Sequence, residues 1–236
     1  MTATDLQPPR VEHPPAGRPR RKRRPWIGVL GLVVVAFLAY SLPPYLSLDP
    51  AQSRVPAPAG FGAHYWFLVG HVVFGSIAML CAVVQIWPWV RRRFSVLHRY
   101  AGRGYVFGGV LPSGVMALTI GAASPFGPAT RASDVLLAVV WIGTTWAGFR
   151  AARERRFADH RRWMVRSFAL TMSIILNRLI SPLAIILLEP QVPTTFGGSQ
   201  VAFMQSVAAI AAWASWTLAL IGAQLWLDRK PRRVTA

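Results

Sequence analysis

The sequence predicts an all-α integral membrane protein, a bundle of about six transmembrane helices with both termini in the cytoplasm. Three observations predict it. Hydrophobic residues make up 53% of the 236-residue chain and charged residues only 14%, whereas a soluble domain carries about 25% charged residues. The apolar residues gather into six long runs, and the 26 Lys and Arg, against 8 Asp and Glu, crowd into short segments between them. Those basic segments alternate with loops nearly free of basic residues, which is how cytoplasmic and external loops of a membrane protein differ.

In chain order, residues 1–25 are rich in Pro and Arg and end in Arg20-Arg21-Lys22-Arg23-Arg24. So little apolar surface cannot offset ordering entropy, which predicts a disordered basic cytoplasmic tail with His13 solvated in it. The run 26–46 matches the roughly 20 residues needed to cross a hydrocarbon core of about 30 Å. It exceeds the roughly 7–15 residues of a secretory signal core, so it reads as an uncleaved first span. Pro50, Pro56, Pro58, Gly60 and Gly62 mark 47–63 as an external loop. Four runs follow, 64–90, 105–123, 134–149 and 163–188, and form the core region 64–188. An external loop and the run 201–227 complete 189–227, and a basic cytoplasmic tail occupies 228–236. Backbone groups in lipid must pair within their own segment, so each run should be a helix. Trp26, Tyr45, Trp87, Trp89, Trp163 and Trp226 stand near run ends, where an aromatic belt belongs.

Orientation follows from the loops. The two tails, the 91–103 loop and the stretch 150–166 hold 23 of the 26 basic residues. Only Arg54 and Arg131 fall in the opposite loops, and Arg178 lies inside the fifth run. This split predicts a bacterial cytoplasmic (inner) membrane protein with the bilayer as its first partner. It also accounts for the net charge of +18 without a nucleic-acid partner.

Ionisable residues inside spans are costly and face protein or water, so they mark candidate sites. His64 begins the second span, and His71 lies about 10 Å deeper at 1.5 Å per residue. With Gly75, Ala78, Ala82 and Gln85 they form one small, polar face suited to close helix packing. A spacing of seven residues does not let two histidines ligate one metal ion, so a site at His71 needs a partner from another helix. The fifth run brings Asn177 and Arg178 to a similar depth, with Ser181-Pro182 beyond. A pocket of His71, Asn177 and Arg178 is one reading. In the other, Arg178 extends to the interface and His71 bonds a neighbouring helix.

A third place is the cytoplasmic face. His98-Arg99-Tyr100-Ala101-Gly102-Arg103-Gly104-Tyr105 and Asp159-His160-Arg161-Arg162-Trp163-Met164-Val165-Arg166-Ser167 each set a histidine beside arginines at the start of a span. Such groups suit anionic lipid headgroups, a quinone headgroup or haem propionates, or serve as plain interfacial anchors.

These segments resemble the paired signatures of DUF2306, a prokaryotic family of membrane proteins. The resemblance rests on His98-Arg99, Gly102-Arg103 and Tyr105, on His160 to Met164 with Arg166-Ser167 and Ala169-Leu170-Thr171, and on Gly70-His71 with Gly75 upstream. It covers roughly 64–181 and departs at Asn177-Arg178, where the family tends to an apolar residue before the arginine. It implies a membrane location and brings no reaction with it.

Two function classes follow. In the first, haem b or a quinone is held between the helices in a redox role. His71, His98 and His160 are then candidate ligands (His71 and His160 as axial haem ligands), and Arg103, Arg166, Arg178 and Asn177 are cofactor contacts. Met116, Met172 and Met204 are candidate thioether ligands. In the second, the chain is a non-enzymatic membrane protein: a small transporter, a lipid-interacting protein or an assembly factor bound to a larger membrane complex. Hydrolase and transferase chemistry finds little support. The acids lie in the N-terminal tail, in loops and at span ends, and neither a phosphate loop nor a Gly-x-Ser-x-Gly elbow is present. Cys81, the single cysteine, reads as a small buried hydrophobe.

Overall fold

The computed structural model describes residues 25–229, so the predicted tails fall almost entirely outside the described residues. Every regular element among these is helical. Helix α1 (Trp26–Ser41) stops where Pro43 and Pro44 withhold the amides its ladder needs, and a short α2 (Pro43–Leu46) follows. Five helical spans are long and apolar enough to cross a membrane: α3 (His64–Ile86), the run Ser95–Ala122, α7 (Pro128–Arg153), α8 (Phe157–Leu188) and α9 (Gln200–Asp228). The first of the six expected spans is the shorter apolar α1.

The boundaries differ from expectation at several helix ends: α1 stops at Ser41 rather than 46, and α8 starts at Phe157 rather than 163. The 91–103 loop is helical, as α4 (Pro88–Arg93) and α5 (Ser95–Tyr105). Arginines mark the interface, but they are good helix formers and do not end a helix there. The run 134–149 underestimates α7 at both ends. Pro128 starts it at the first helical turn, and Arg150 and Arg153 close its last turn, where cations suit the helix dipole. Tyr45, expected in the interfacial belt, is instead buried against Tyr65 and Leu68.

The small face of α3 packs as the sequence predicts. It meets the run formed by α5, a π-helical turn Val106–Val110 and α6 (Leu111–Ala122). Gly109 lies so close that a Cβ there would sit 2.8 Å from the Ala78 Cα, and Gly75 faces Ser113. Further along, Gln85 Nε2 donates to the His98 carbonyl at 2.6 Å. The π turn directly precedes Pro112, with the Leu111 amide reaching back to the Val106 carbonyl. Widening the helix there relieves the clash between the proline ring and the preceding turn.

Helices α7, α8 and α9 pack in sequence, α7 also touches α9, and α8 also touches α3. Trp216 on α9 donates to Ser133 on α7 at 3.0 Å, pinning the pair inside the bundle. Tyr105, Val110, Trp141, Leu170 and Trp216 form the main core cluster. The α3–α5 and α7–α8 links share one end, here the basic end, and the links 47–63, 123–127 and 189–199 share the other.

Candidate functional site

Between the helices, in the half away from the basic end, lies a cavity of about 520 Å³. Helix α3 contributes His64, His71 and Gly75 to its wall, and α8 contributes Thr171, Asn177, Arg178 and Ser181. The three residues that the sequence placed at one depth therefore share one space. Asp134 and Trp141 come from α7, Met204 and Val207 from α9, and Arg54 and Tyr45 from the segment after α1. Its volume falls within the roughly 300–1,000 Å³ of ligand pockets, and its wall sets a few polar groups among apolar ones, as such pockets do.

The polar groups differ in how far they are committed. The Nδ1 of His71 lies 3.0 Å from both the Ser113 carbonyl and the Ser113 hydroxyl, and that hydroxyl donates to the His71 carbonyl at 3.0 Å. A carbonyl only accepts, so the bond to it puts a proton on Nδ1 and leaves Nε2 uncommitted. Arg54 donates to the Tyr40 carbonyl at 3.0 Å and lies over the Tyr40 ring, so its guanidinium is partly engaged. Arg178, an exposed residue, and Asp134 both line the cavity and enter no ion pair among the described residues.

Below the cavity floor runs a buried chain of hydroxyls. Tyr105 bonds Ser167 at 2.6 Å and Thr171 at 2.7 Å, and Ser167 bonds Thr145 at 2.6 Å. The Trp141 indole donates to Thr171 at 2.9 Å, and both residues also line the cavity. Thr145 reaches the Trp141 carbonyl at 2.7 Å and Thr171 the Ser167 carbonyl at 2.9 Å. This chain ties α5, α7 and α8 together.

The basic-end histidines occupy a separate place. His98 and His160 lie within electrostatic reach of each other and of Arg91, so the two signature segments do converge. His160 Nδ1 bonds the Gly148 carbonyl at 2.8 Å, whereas the buried His98 Nδ1 has no partner among the described residues. Neither lines the cavity to which His71 contributes. Arg166 donates to Gln224 on α9 at 2.7 Å and stacks 4.9 Å from Trp163, and Arg103 lies 5.6 Å over Tyr100. Both have local structural partners. Asp159 pairs with Arg156 while His160 turns to Gly148, so these adjacent side chains do diverge. No cluster of three or more His, Cys, Asp or Glu suited to a metal ion occurs among the described residues.

Arg54 and Asp134 escaped the sequence reading as site residues because they sit in a loop and near a helix start. Only the folding of the 47–63 segment over the bundle brings Arg54 to the cavity. The hydroxyl chain had a visible trace, since Tyr105, Ser167 and Thr171 all belong to the signature segments. Their mutual contact was not readable from positions more than sixty residues apart.

Membrane-length helices, arginine-rich links gathered at one end and a mainly apolar cavity with a few polar groups between the helices define a multi-pass helical membrane protein. The chain belongs to DUF2306, described as a predicted membrane protein, whose family model matches residues 68–227. The match takes in His71, His98, His160, Asn177 and Arg178 and leaves Arg54 and His64 outside it. No curated protein and no solved structure matches the chain.

Proposed function

We propose that this protein binds a membrane-dissolved quinone in the cavity between its helices, in a redox role. The observation that carries the reading is the meeting of His71 with Asn177 and Arg178 in one cavity of about 520 Å³. Quinone carbonyl oxygens accept hydrogen bonds, and Arg178 and the Asn177 amide supply donors. The quinol O–H donates, and His71 Nε2 is the matching acceptor because Nδ1 is committed to Ser113. Leu68, Ile120, Leu137, Ile174 and Val207 in the same wall suit an apolar ring and tail. Neutral His71 Nε2 accepts from the quinol O–H and, once protonated, donates to the quinone carbonyl, so the site fits both redox states of the ligand. The same reading places the basic end and both termini in the cytoplasm of a bacterium, on the distribution of arginines.

The test is saturable quenching of tryptophan fluorescence by a short-chain quinone, with the protein in mild detergent. Trp141 lines the cavity, so Trp141→Phe should remove part of the quenching. Arg178→Gln loses a charge-assisted hydrogen bond and should weaken binding about tenfold or more. Unsaturable quenching, or an unchanged affinity in Arg178→Gln, would sink the reading.

Haem b is the second reading, favoured by two observations. Met204, on the facing helix α9, lines the cavity with His71 and would supply the second axial ligand. The Nδ1 bond of His71 also matches how ligating histidines are held. A Soret band that shifts on reduction and disappears in His71→Ala would replace the quinone reading with this one.

A further inference from the structure

The two basic links differ in how their charge is balanced. In the α7–α8 link, Glu154 takes Arg156 at 2.6 Å and Arg150 at 3.4 Å, and Asp159 takes Arg156 at 2.5 Å. The α4–α5 segment has nothing comparable. Arg91, Arg92, Arg93, Arg99 and Arg103 lie in a stretch with no Asp or Glu anywhere between Asp49 and Asp134. None of these five enters an ion pair among the described residues. All five are exposed. No carboxylate among the described residues supplies their countercharge.

The same segment is unusually apolar for an arginine-rich surface. Trp89, Phe94, Val96, Leu97 and Tyr100 are each more than 40% exposed. Trp89 and Phe94 meet edge to face at 4.9 Å, which fixes the corner between α4 and α5. At that corner Arg93, Phe94, Ser95, Leu97 and Tyr100 line a shallow groove of about 480 Å³. Arg99 follows Ser95 by one helical turn and so stands on the same side. Guanidinium, hydroxyl and phenol groups lie beside open apolar side chains. A phosphodiester with two acyl chains has the matching division into anionic and apolar parts.

We propose that the groove at the α4–α5 corner is a binding site for the headgroup of an anionic phospholipid. Arg93 and Arg99 pair with the phosphate, Ser95 donates to it, and the acyl chains lie along Val96, Leu97 and Tyr100. Arginine matches phosphate geometry through paired N–H donors, and the aromatic side chains hold the corner at headgroup depth. The site stands apart from the cavity and is independent of what the cavity binds.

The test is native mass spectrometry of the full chain released from mixed phosphatidylglycerol and phosphatidylcholine membranes. Wild-type protein should retain phosphatidylglycerol in preference to phosphatidylcholine. Each arginine–phosphate pair is a charge-assisted contact, so Arg93→Gln with Arg99→Gln should cut retention by about tenfold or more. The control Arg153→Gln with Arg155→Gln removes the same charge from the same end and should change retention little. An equal loss in both double variants would show a diffuse field and overturn the site. So would the absence of any phosphatidylglycerol preference. Displacement of the lipid by millimolar inorganic phosphate would overturn it too, in favour of a free-phosphate site. Circular dichroism of both double variants checks that these exposed substitutions leave the helices formed.

Discussion

At the scale of single residues, the groups that shape this protein are polar side chains that have satisfied themselves inside it. Tyr105 is the plainest case. It is 1% exposed, and its hydroxyl is the junction of bonds to Ser167 and Thr171. Phenylalanine would keep the ring's packing and delete the junction, leaving two buried hydroxyls each short of one partner. Tyr105→Phe should therefore lower stability by about 1–3 kcal/mol, seen as a lower thermal midpoint in detergent. An unchanged midpoint would mean that the network carries no stability. His71 is satisfied in a different way, with one nitrogen committed and the other left for a ligand. That Asn177 and Arg178 would lie at a similar depth was legible from counting residues along helices of known rise. That Asp134 would join them was not, because depth along a helix does not say which way a residue at its end faces.

At the scale of elements, helix positions were readable because lipid forces backbone groups to pair locally and hydropathy reports lipid. Helix ends were less so. The chain marks the interface with arginines, yet α5 runs through His98, Arg99 and Arg103 without breaking. The π turn at Val106–Val110 has one local cue, Pro112, and its placement depends on how tightly α3 approaches. Gly109 sits in that turn against the Ala78 backbone. A methyl group there has no flexible neighbour to displace, so the two helices must separate. Gly109→Ala should destabilise the bundle by about 1–3 kcal/mol, and Gly143→Ala, where a Cβ meets open space, should be tolerated. Thermal unfolding of the two variants side by side checks this, and equal midpoints would show that the close approach is not required.

At the scale of the whole molecule, the arrangement separates two chemistries. One end gathers arginines and the paired histidines, and the other half encloses the cavity. The alternation of charged and nearly uncharged loops made this division legible before any coordinate. The cavity was only partly so, since α1, the 47–63 segment and α9 all contribute to it and none carries a sequence signal for doing so. The orientation proposed above can be checked with a membrane-impermeant maleimide on a Cys81→Ala background. Gln191→Cys should label in intact cells and Glu154→Cys only after permeabilisation. The reverse pattern would invert the topology and put the cavity's half of the bundle toward the cytoplasm.

The hydroxyl chain beneath the cavity has one more property. With Thr171 donating to Tyr105, Tyr105 to Ser167 and Ser167 to Thr145, the chain ends on the Trp141 carbonyl. With every O–H turned around, Thr145 begins the chain and it ends on the Ser167 carbonyl. Both orderings leave each oxygen bonded, and they point the summed O–H dipole in opposite directions. The hydroxyl protons beneath the cavity can therefore be ordered in either sense without moving a heavy atom.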